Sequence, residues 1–273
     1  MNEVIIKIEA LDFAYKDVKI LHNINLEIHT GEMLAFIGQN GAGKTTTAKL
    51  LNGINKPTVG RALVKGKDTR KENISTLAQI VGYCYQNPDH QIWALKVYDE
   101  LAFGPKNIGL GESEIRERVE MALELAGLKG MENEYTFNLG WGQRQRLAVA
   151  SILAMKPEVI IVDEPTTGLD WAGALMIMDL LKKLNQEGLT VIIITHDMPI
   201  VWKYVDRAVV FATGEIIGDG KVWDIMQDQD MLGKAQLRAP QFIRILTRLN
   251  KDGWNLSAKN EAELISQIES IIR

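Results

Sequence analysis

The chain has 273 residues, 46% hydrophobic and 24% charged, and carries a formal net charge of −4. That length and balance suit a globular protein with one large domain and a small appendage, and exclude a disordered or fibrous class. The negative charge argues against a nucleic-acid partner, which leaves a basic footprint; the one basic stretch, Lys65 to Lys71, reads as a solvated turn.

The single cysteine, Cys84, precludes an intrachain disulfide, suits a reducing compartment and reads as a small buried apolar residue. Glu3 and Lys7 put charges where a signal peptide needs an apolar stretch, so no targeting segment is expected. Apolar runs such as Val159 to Val162 fall far short of the ~18 residues of a membrane span, so any membrane role is expected to be peripheral.

Residues 4–8 and 24–28 alternate apolar and polar side chains and predict an antiparallel β layer near the start. Met33 to Ile37 reads as a buried strand, and Thr46 to Leu51 as the first turns of a helix. Pro57 and Gly60 mark a loop before a short strand at Arg61 to Lys65. From about 87 to 157 the pattern is helical. Ser113 is expected to cap a helix with Ile115, Val119, Ala122, Leu123 and Ala126 on one face, Gly127 to end it, and a second helix to run from Arg144 to Met155. Strand Val159 to Val162, helix Ala172 to Gln186, and strands Thr190 to Thr195 and Arg207 to Phe211 follow. From about Asp228 the composition shifts, with Arg238-Ala239-Pro240 between two helical stretches. There is no internal repeat and no low-complexity segment. The expected fold is α/β, with a parallel central sheet, an N-terminal antiparallel β layer, a helical insertion and a C-terminal extension, divided into units 1–227 and 228–273.

Between the strand at 33–37 and its helix stands Gly38-Gln39-Asn40-Gly41-Ala42-Gly43-Lys44-Thr45, which fits the phosphate-loop pattern G-x-x-x-x-G-K-[ST] at every fixed position. Glycines let the backbone curl its N–H groups around a phosphate, and the helix N-terminus adds a favourable dipole. Lys44 reaches the terminal phosphates and Thr45 can ligate magnesium, so the chain is expected to bind a nucleoside triphosphate with Mg²⁺. Asp163 and Glu164 end an apolar strand, where ligands of open parallel sheets sit. Asp163 is the expected magnesium holder, and Glu164 the base that polarises the attacking water. Acids in that position also cap helices; the phosphate loop favours the catalytic reading.

Gln86 follows an apolar strand-like run, Leu139-Gly140-Trp141-Gly142-Gln143 opens a helix, Gly168-Leu169-Asp170 lies beyond Glu164, and His196 closes Ile194-Thr195-His196-Asp197. In this order they resemble the ATP-binding-cassette (ABC) transporter ATPases across the first 220 residues. The resemblance implies that Tyr15 stacks on adenine, although an edge-strand tyrosine is the plain alternative. It implies that Asn40, Gly41, Ala42 and Thr46 line the ATP site. It also implies that Gln86 touches magnesium and links to a membrane partner, that His196 contacts the γ-phosphate, and that Asp170 acts across a dimer interface. Such ATPases work as head-to-tail dimers, each ATP lying between one subunit's phosphate loop and the other's signature.

Gln86-Asn87-Pro88-Asp89-His90-Gln91, the ending Ala102-Phe103-Gly104-Pro105 and the tail element Leu237-Arg238-Ala239-Pro240 are similar to the energy-coupling factor and cobalt-type importer ATPases. This implies an ATPase that powers uptake of a vitamin or transition-metal ion from the cytoplasmic face of the membrane. Its partners would be a transmembrane coupling protein and a substrate-binding membrane subunit, with dimer contacts in the tail. The alternatives are another importer, for example for amino acids, or a non-transport ABC ATPase. The segment between Gln86 and Leu139 is too short for the coiled coil of a chromosome-maintenance ATPase, and one phosphate loop does not fit a two-cassette translation factor. Ile92, Trp93, Leu95 and Val97, in an expected helical segment after Gln86, supply core residues and part of a groove for the membrane partner. Where the usual signature is L-S-G-G-Q, this chain has Gly140 for serine and Trp141 for glycine. A heterodimer with a related ATPase is therefore expected over a homodimer.

Overall fold

Alternating apolar residues build two long strands, β1 (Val4–Tyr15) and β2 (Val18–His29), in a computed structural model that describes residues 3–272. Met1, Asn2 and Arg273, at the outer ends of the expected units, lie outside the described residues. Ile6 and Ile8 face Ile28 and Leu26, and Leu11 and Phe13 face Ile24 and Leu21. The switch from even to odd buried positions comes from a bulge, with Ala10 and Asn23 at φ 43 and 49. One extra residue reverses the side-chain alternation, which hides the second half of β1 and the first half of β2 from a simple period-two pattern.

β3 (Met33–Ile37) is wholly buried and leads through the glycine-rich loop into α1 (Lys44–Leu51). β4 (Val59–Val64) and β5 (Lys67–Asp68) complete the antiparallel layer, then α2 (Ile74–Ala78) and β6 (Val81–Cys84) follow. Residues 87–96 depart from the expected helix: a single 3₁₀ turn, Pro88–His90, gives way to irregular backbone before α3 (Val97–Asn107). Two ties replace the helical ladder there. The buried Glu100 accepts the Trp93 and Ala94 N–H groups at 3.1 and 3.0 Å, and Lys96 bridges to Tyr135.

α4 (Glu112–Ala126) is capped by Gly111, not Ser113, which lies inside the first turn; Glu112 and Glu114 complement the helix dipole there. Gly127, at φ 63, ends the helix as expected. α5 (Trp141–Leu153) starts three residues before the expected Arg144, because Gln143 Oε1 accepts the Gly140 N–H at 2.9 Å and secures the first turn. β7 (Val159–Asp163), α6 (Trp171–Gln186), β8 (Thr190–Ile194), α7 (Met198–Tyr204) and β9 (Arg207–Ala212) continue the alternation. The turn Thr213-Gly214, both at positive φ, returns the chain as β10 (Glu215–Lys221). α8 (Val222–Gln227) leads into the tail, which holds α9 (Gln229–Lys234), α10 (Gln241–Lys251) and α11 (Glu261–Ile272).

Among the described residues the strands form two sheets, a four-stranded one ordered β2-β1-β4-β5 and a six-stranded one ordered β10-β9-β3-β8-β7-β6. The second is parallel apart from the β9–β10 hairpin. One of its faces, with Leu34, Phe36, Ile161, Ile192 and Phe211, packs against the antiparallel layer and α1. The other, with Ala35, Ile37, Ile160, Val162 and Ile193, packs with residues of α6 and α7 and with Leu232, Leu237, Phe242 and Leu246 of the tail. α3, α4 and α5 share a third core around Leu101, Val119, Leu123 and Leu147. Burial on both faces is why β3, β7 and β8 read as unbroken apolar runs. Their parallel pairing brings the C-terminal ends of β3, β6, β7 and β8 to one edge.

Candidate functional site

The phosphate loop leaves β3 at Gly38, whose φ is 149; a Cβ there would lie 2.3 Å from the Phe211 carbonyl oxygen. Gly43, at φ 105, has Leu21 Cδ2 2.5 Å from the same hypothetical atom. Only glycine fits either position. The loop winds Lys44 inward, and its ammonium donates to the carbonyls of Gly38 at 2.7 Å and Gln39 at 2.9 Å. Burial lowers the Lys44 pKa, opposed by the carboxylates of Glu164 and Asp163. The loop and the N-terminus of α1 thus concentrate N–H donors and a cation, the equipment for polyphosphate.

The other side of the cleft comes from the sheet edge. β7 and β8 pair Asp163 with Ile194, so the next residues, Glu164 and Thr195-His196, meet beyond the strands. Asp163 Oδ2 accepts hydrogen bonds from Thr45 Oγ1 at 2.8 Å and Tyr83 OH at 2.7 Å. Burial, with the Asp163 charge, pushes the Tyr83 phenol well above its ordinary range and keeps it a donor. Cis ligands of a magnesium octahedron with bonds of about 2.0–2.1 Å sit about 2.9 Å apart, so the Thr45–Asp163 oxygen pair fits one edge. No cluster of three or more His, Cys, Asp or Glu suited to a metal occurs among the described residues; a magnesium that shares its shell with phosphate and water needs only one or two carboxylates.

Glu164 is buried and sits at φ 47, a strained backbone for a non-glycine residue. Its N–H donates to the Ile194 carbonyl at 2.8 Å, and its own carbonyl accepts the Thr167 N–H at 3.2 Å. Oε1 is 2.8 Å from His196 Nδ1, and Oε2 accepts Thr195 Oγ1 at 3.2 Å. The carboxylate is thereby aimed, and the His196 ring stays largely in solvent.

These groups converge on one cleft of ≈ 390 Å³, lined by Tyr15, Asn40, Gly41, Ala42, Gly43, Lys44, Thr45, Thr46, Gln86, Asp163, Glu164 and His196, with Ile20 and Ile194 adding apolar wall. Tyr15 is half exposed at the end of β1, set edge-on to Phe13 with ring centroids 4.7 Å apart, and its hydroxyl accepts the Asn55 amide at 2.9 Å. Gln86 lies two residues beyond β6. Its loop is pinned by Gln91, which accepts the Tyr85 N–H and donates to the Ala148 carbonyl of α5.

Leu139, Gly140, Trp141, Gly142 and Gln143 do not line this cleft: they form the start of α5, with Leu139 buried and Gln143 capping its own helix. Asp170 caps α6 by accepting the Gly173 N–H at 2.7 Å. The sequence does not single out Tyr83, which stands in the apolar run before Gln86; a hydroxyl one strand away from Asp163 is the available signal. Nor does it single out Thr195 as a partner of Glu164.

A second cavity, of ≈ 410 Å³, lies between α2, α3, α5 and the segment after Gln86. Trp93 and Phe103, edge to face at 4.5 Å, line it beside Ile74, Ile152 and Met155. Trp93 and Leu95 are exposed at 63% and 69%, Ile92 is half-buried, and Val97 is core.

The ABC transporter family model matches residues 21–167. An energy-coupling factor transporter ATP-binding protein, EcfA of Methanocaldococcus jannaschii, is 43% identical over 90% of this chain and 90% of its own length. An ABC transporter ATP-binding protein of Caldanaerobacter subterraneus is 47% identical over 92% of this chain, which spans only 44% of that longer relative. Among solved structures, cbiO1 of Clostridium perfringens, described as part of the ABC transporter complex cbiONQ, superposes with a TM-score of 0.78 at 38% identity, covering 90% of this chain and 99% of that one. With phosphate loop, carboxylates, glutamine and histidine gathered in one cleft and the family matched over most of the chain, this protein belongs to the ABC transporter ATPases, which bind and hydrolyse ATP.

Proposed function

We propose that the chain is the ATP-hydrolysing subunit of an energy-coupling factor type importer that takes up a vitamin or a transition-metal ion. ATPases of this family work as dimers with transmembrane partners. The observation that carries the finer reading is the apolar groove around Trp93 and Phe103, reached directly from Gln86 in the Q-N-P-D-x-Q segment. A coupling helix of the membrane partner fits such a surface, and the names of the EcfA and cbiO1 relatives support the subfamily. No helix among the described residues is long and apolar enough to cross a membrane, so on this reading the chain is peripheral, at the cytoplasmic face.

In the cleft, Tyr15 stacks on adenine, Lys44 and the loop N–H groups hold the phosphates, and Thr45, Asp163 and Gln86 would hold Mg²⁺, whose charge screens the transferring phosphate. Glu164 takes a proton from the attacking water as that water adds to the γ-phosphorus, the bond from phosphorus to the β–γ bridging oxygen breaks to release ADP, and His196 donates to the γ-phosphate. ATP closes a head-to-tail dimer, and loss of the γ-phosphate removes the charge-assisted bonds that held it. Residues 228–273 contribute dimer contacts around Leu237-Arg238-Ala239-Pro240.

The test is purification of the full chain from native membranes in mild detergent. A transmembrane coupling protein and a small substrate-binding membrane subunit should accompany it, together with a second ATPase. Recovery with ribosomes or DNA instead would overturn the transport reading.

A further inference from the structure

Trp141, which stands where the family signature has glycine, makes contacts inside its own chain. Its indole N–H donates to the Thr167 carbonyl at 3.2 Å. The ring lies against Gly168, where an added Cβ would come within 2.9 Å of Trp141 Nε1. Gly142, next on the same turn, faces Leu169, whose Cδ2 is 3.5 Å from a Cβ placed there. The first turn of α5 therefore grips loop 166–169. That loop lies just beyond Glu164, whose carbonyl accepts the Thr167 N–H and whose backbone sits in the left-handed region. One residue is thus held through both of its flanking peptide groups: Thr167 N–H to Glu164, and the Thr167 carbonyl to Trp141.

Arg144 lies over the indole, its guanidinium carbon 5.9 Å from the ring centroid. Arg144 Nη1 donates to the Leu139 carbonyl at 2.6 Å, and Nε lies 3.0 Å from Asp89 Oδ1. Asp89 is three residues from Gln86. A contiguous set of contacts therefore runs from the glutamine segment through α5 to the residue that aims at water.

We propose that Trp141 is a positioning residue for hydrolysis in this chain's own cleft, tying the signature turn to loop 165–170 and so holding Glu164 in its strained conformation. The proposal rests on Glu164 being the base. It differs from a signature role, which would act on the nucleotide bound by the other subunit.

Two full-chain variants test it, Trp141→Phe, which keeps a ring and deletes the donor, and Trp141→Gly. Amide hydrogen exchange on the chain, free and with ATP and Mg²⁺, should be about threefold to tenfold faster across 165–170 in Trp141→Phe, the effect of one neutral hydrogen bond, with strand 159–163 unchanged. Hydrolysis is then read in an ATPase pair whose other subunit has its equivalent glutamate neutralised, so only this chain's cleft turns over, completed by the other subunit's signature. There kcat should fall by a similar factor while the Kd for ATP stays constant, and Trp141→Gly should lower kcat further. Unchanged exchange across 165–170 in both variants overturns the proposal, as does a loosened loop with unchanged kcat. Retained hydrolysis in Glu164→Gln, run alongside, would instead unseat the assignment of the base.

Discussion

Replacing Glu164 with glutamine removes a base and keeps a shape. The two carboxylate oxygens have separate partners, His196 Nδ1 at 2.8 Å and Thr195 Oγ1 at 3.2 Å. A glutamine carbonyl keeps the threonine bond, and its NH₂ can donate to Nδ1 of a histidine whose proton sits on Nε2. The net change in folding stability is therefore expected to stay on the order of 1 kcal/mol. Lys44 is bonded to the Gly38 and Gln39 carbonyls, not to Glu164, so the substitution leaves the phosphate cradle intact. What is lost is proton acceptance from water, a contribution of roughly 10²–10⁴ in rate. Titration with a fluorescent ATP analogue should give a Kd close to wild type. Phosphate release, in a pair whose second site is inactivated, should drop by about that factor, and ATP-bound dimers should accumulate on size exclusion. Near-normal release from that pair would refute the role of Glu164.

Lys44→Ala acts earlier in the cycle: deleting a charged donor to phosphate should weaken ATP binding by about 10- to 150-fold, and an unchanged Kd would contradict the cradle. Glu100 offers a pH test, because burial raises its pKa above the ordinary 4.5, only partly offset by the backbone N–H groups of Ala94 and Trp93. Its stabilising contribution is full below that value and is lost as pH rises through the raised folded-state pKa. Glu100→Gln should therefore gain in melting temperature relative to wild type as pH is raised from about 4 to 7, and a pH-independent difference would be wrong for a buried carboxyl. Trp93→Glu changes an exposed side chain whose edge-to-face contact with Phe103 is its main packing, and should cost about 0.5–1.5 kcal/mol and leave the chain folded. ATP binding should persist while transport by the reconstituted complex is lost; normal transport, or an unfolded variant, would move the docking groove elsewhere.

The cleft was legible where chemistry is written locally. The phosphate loop needs glycines and lysine at fixed spacing within one turn. Asp163-Glu164 and His196 each follow an apolar strand, and the parallel register of β7 and β8 then brings them together. Features that depend on contacts distant in sequence were not legible. The bulge at Ala10 reverses the burial parity of β1, so only its first half follows the expected pattern. Residues 91–96 carry helix-compatible side chains, yet Glu100 and the Lys96–Tyr135 bridge hold them out of a helix. The hydrogen bond from Tyr83 to Asp163 spans 80 positions and that from Trp141 to Thr167 spans 26, and no local pattern announces either. The capping of α6 by Asp170 Oδ1 is another role that the sequence analysis does not give this residue.

The position of the signature bears on how two subunits share the work. Residues 139–143 lie outside the cleft that holds Lys44, Asp163 and Glu164, so in a head-to-tail dimer the hydroxyl missing at Gly140 is missed by the nucleotide of the other subunit. Gly140 supplies no hydroxyl for that γ-phosphate, a loss of about 1.5–3 kcal/mol if the bond is to a charged oxygen. Its backbone N–H is already engaged by Gln143 Oε1. The first-turn N–H groups of Trp141 and Gly142, without intrahelical acceptors, are what remains to face an anion. Two copies of this chain would each receive the weaker signature, whereas a related subunit with the serine would complete this chain's intact cleft and receive the altered signature in its own. The isolated chain should consequently hydrolyse ATP slowly, with a sharp rise when the second ATPase is added, and each site can be assigned by neutralising one glutamate at a time. Rapid hydrolysis by a homodimer of this chain would remove the reason for asymmetry, because two glycines at position 140 would then suffice.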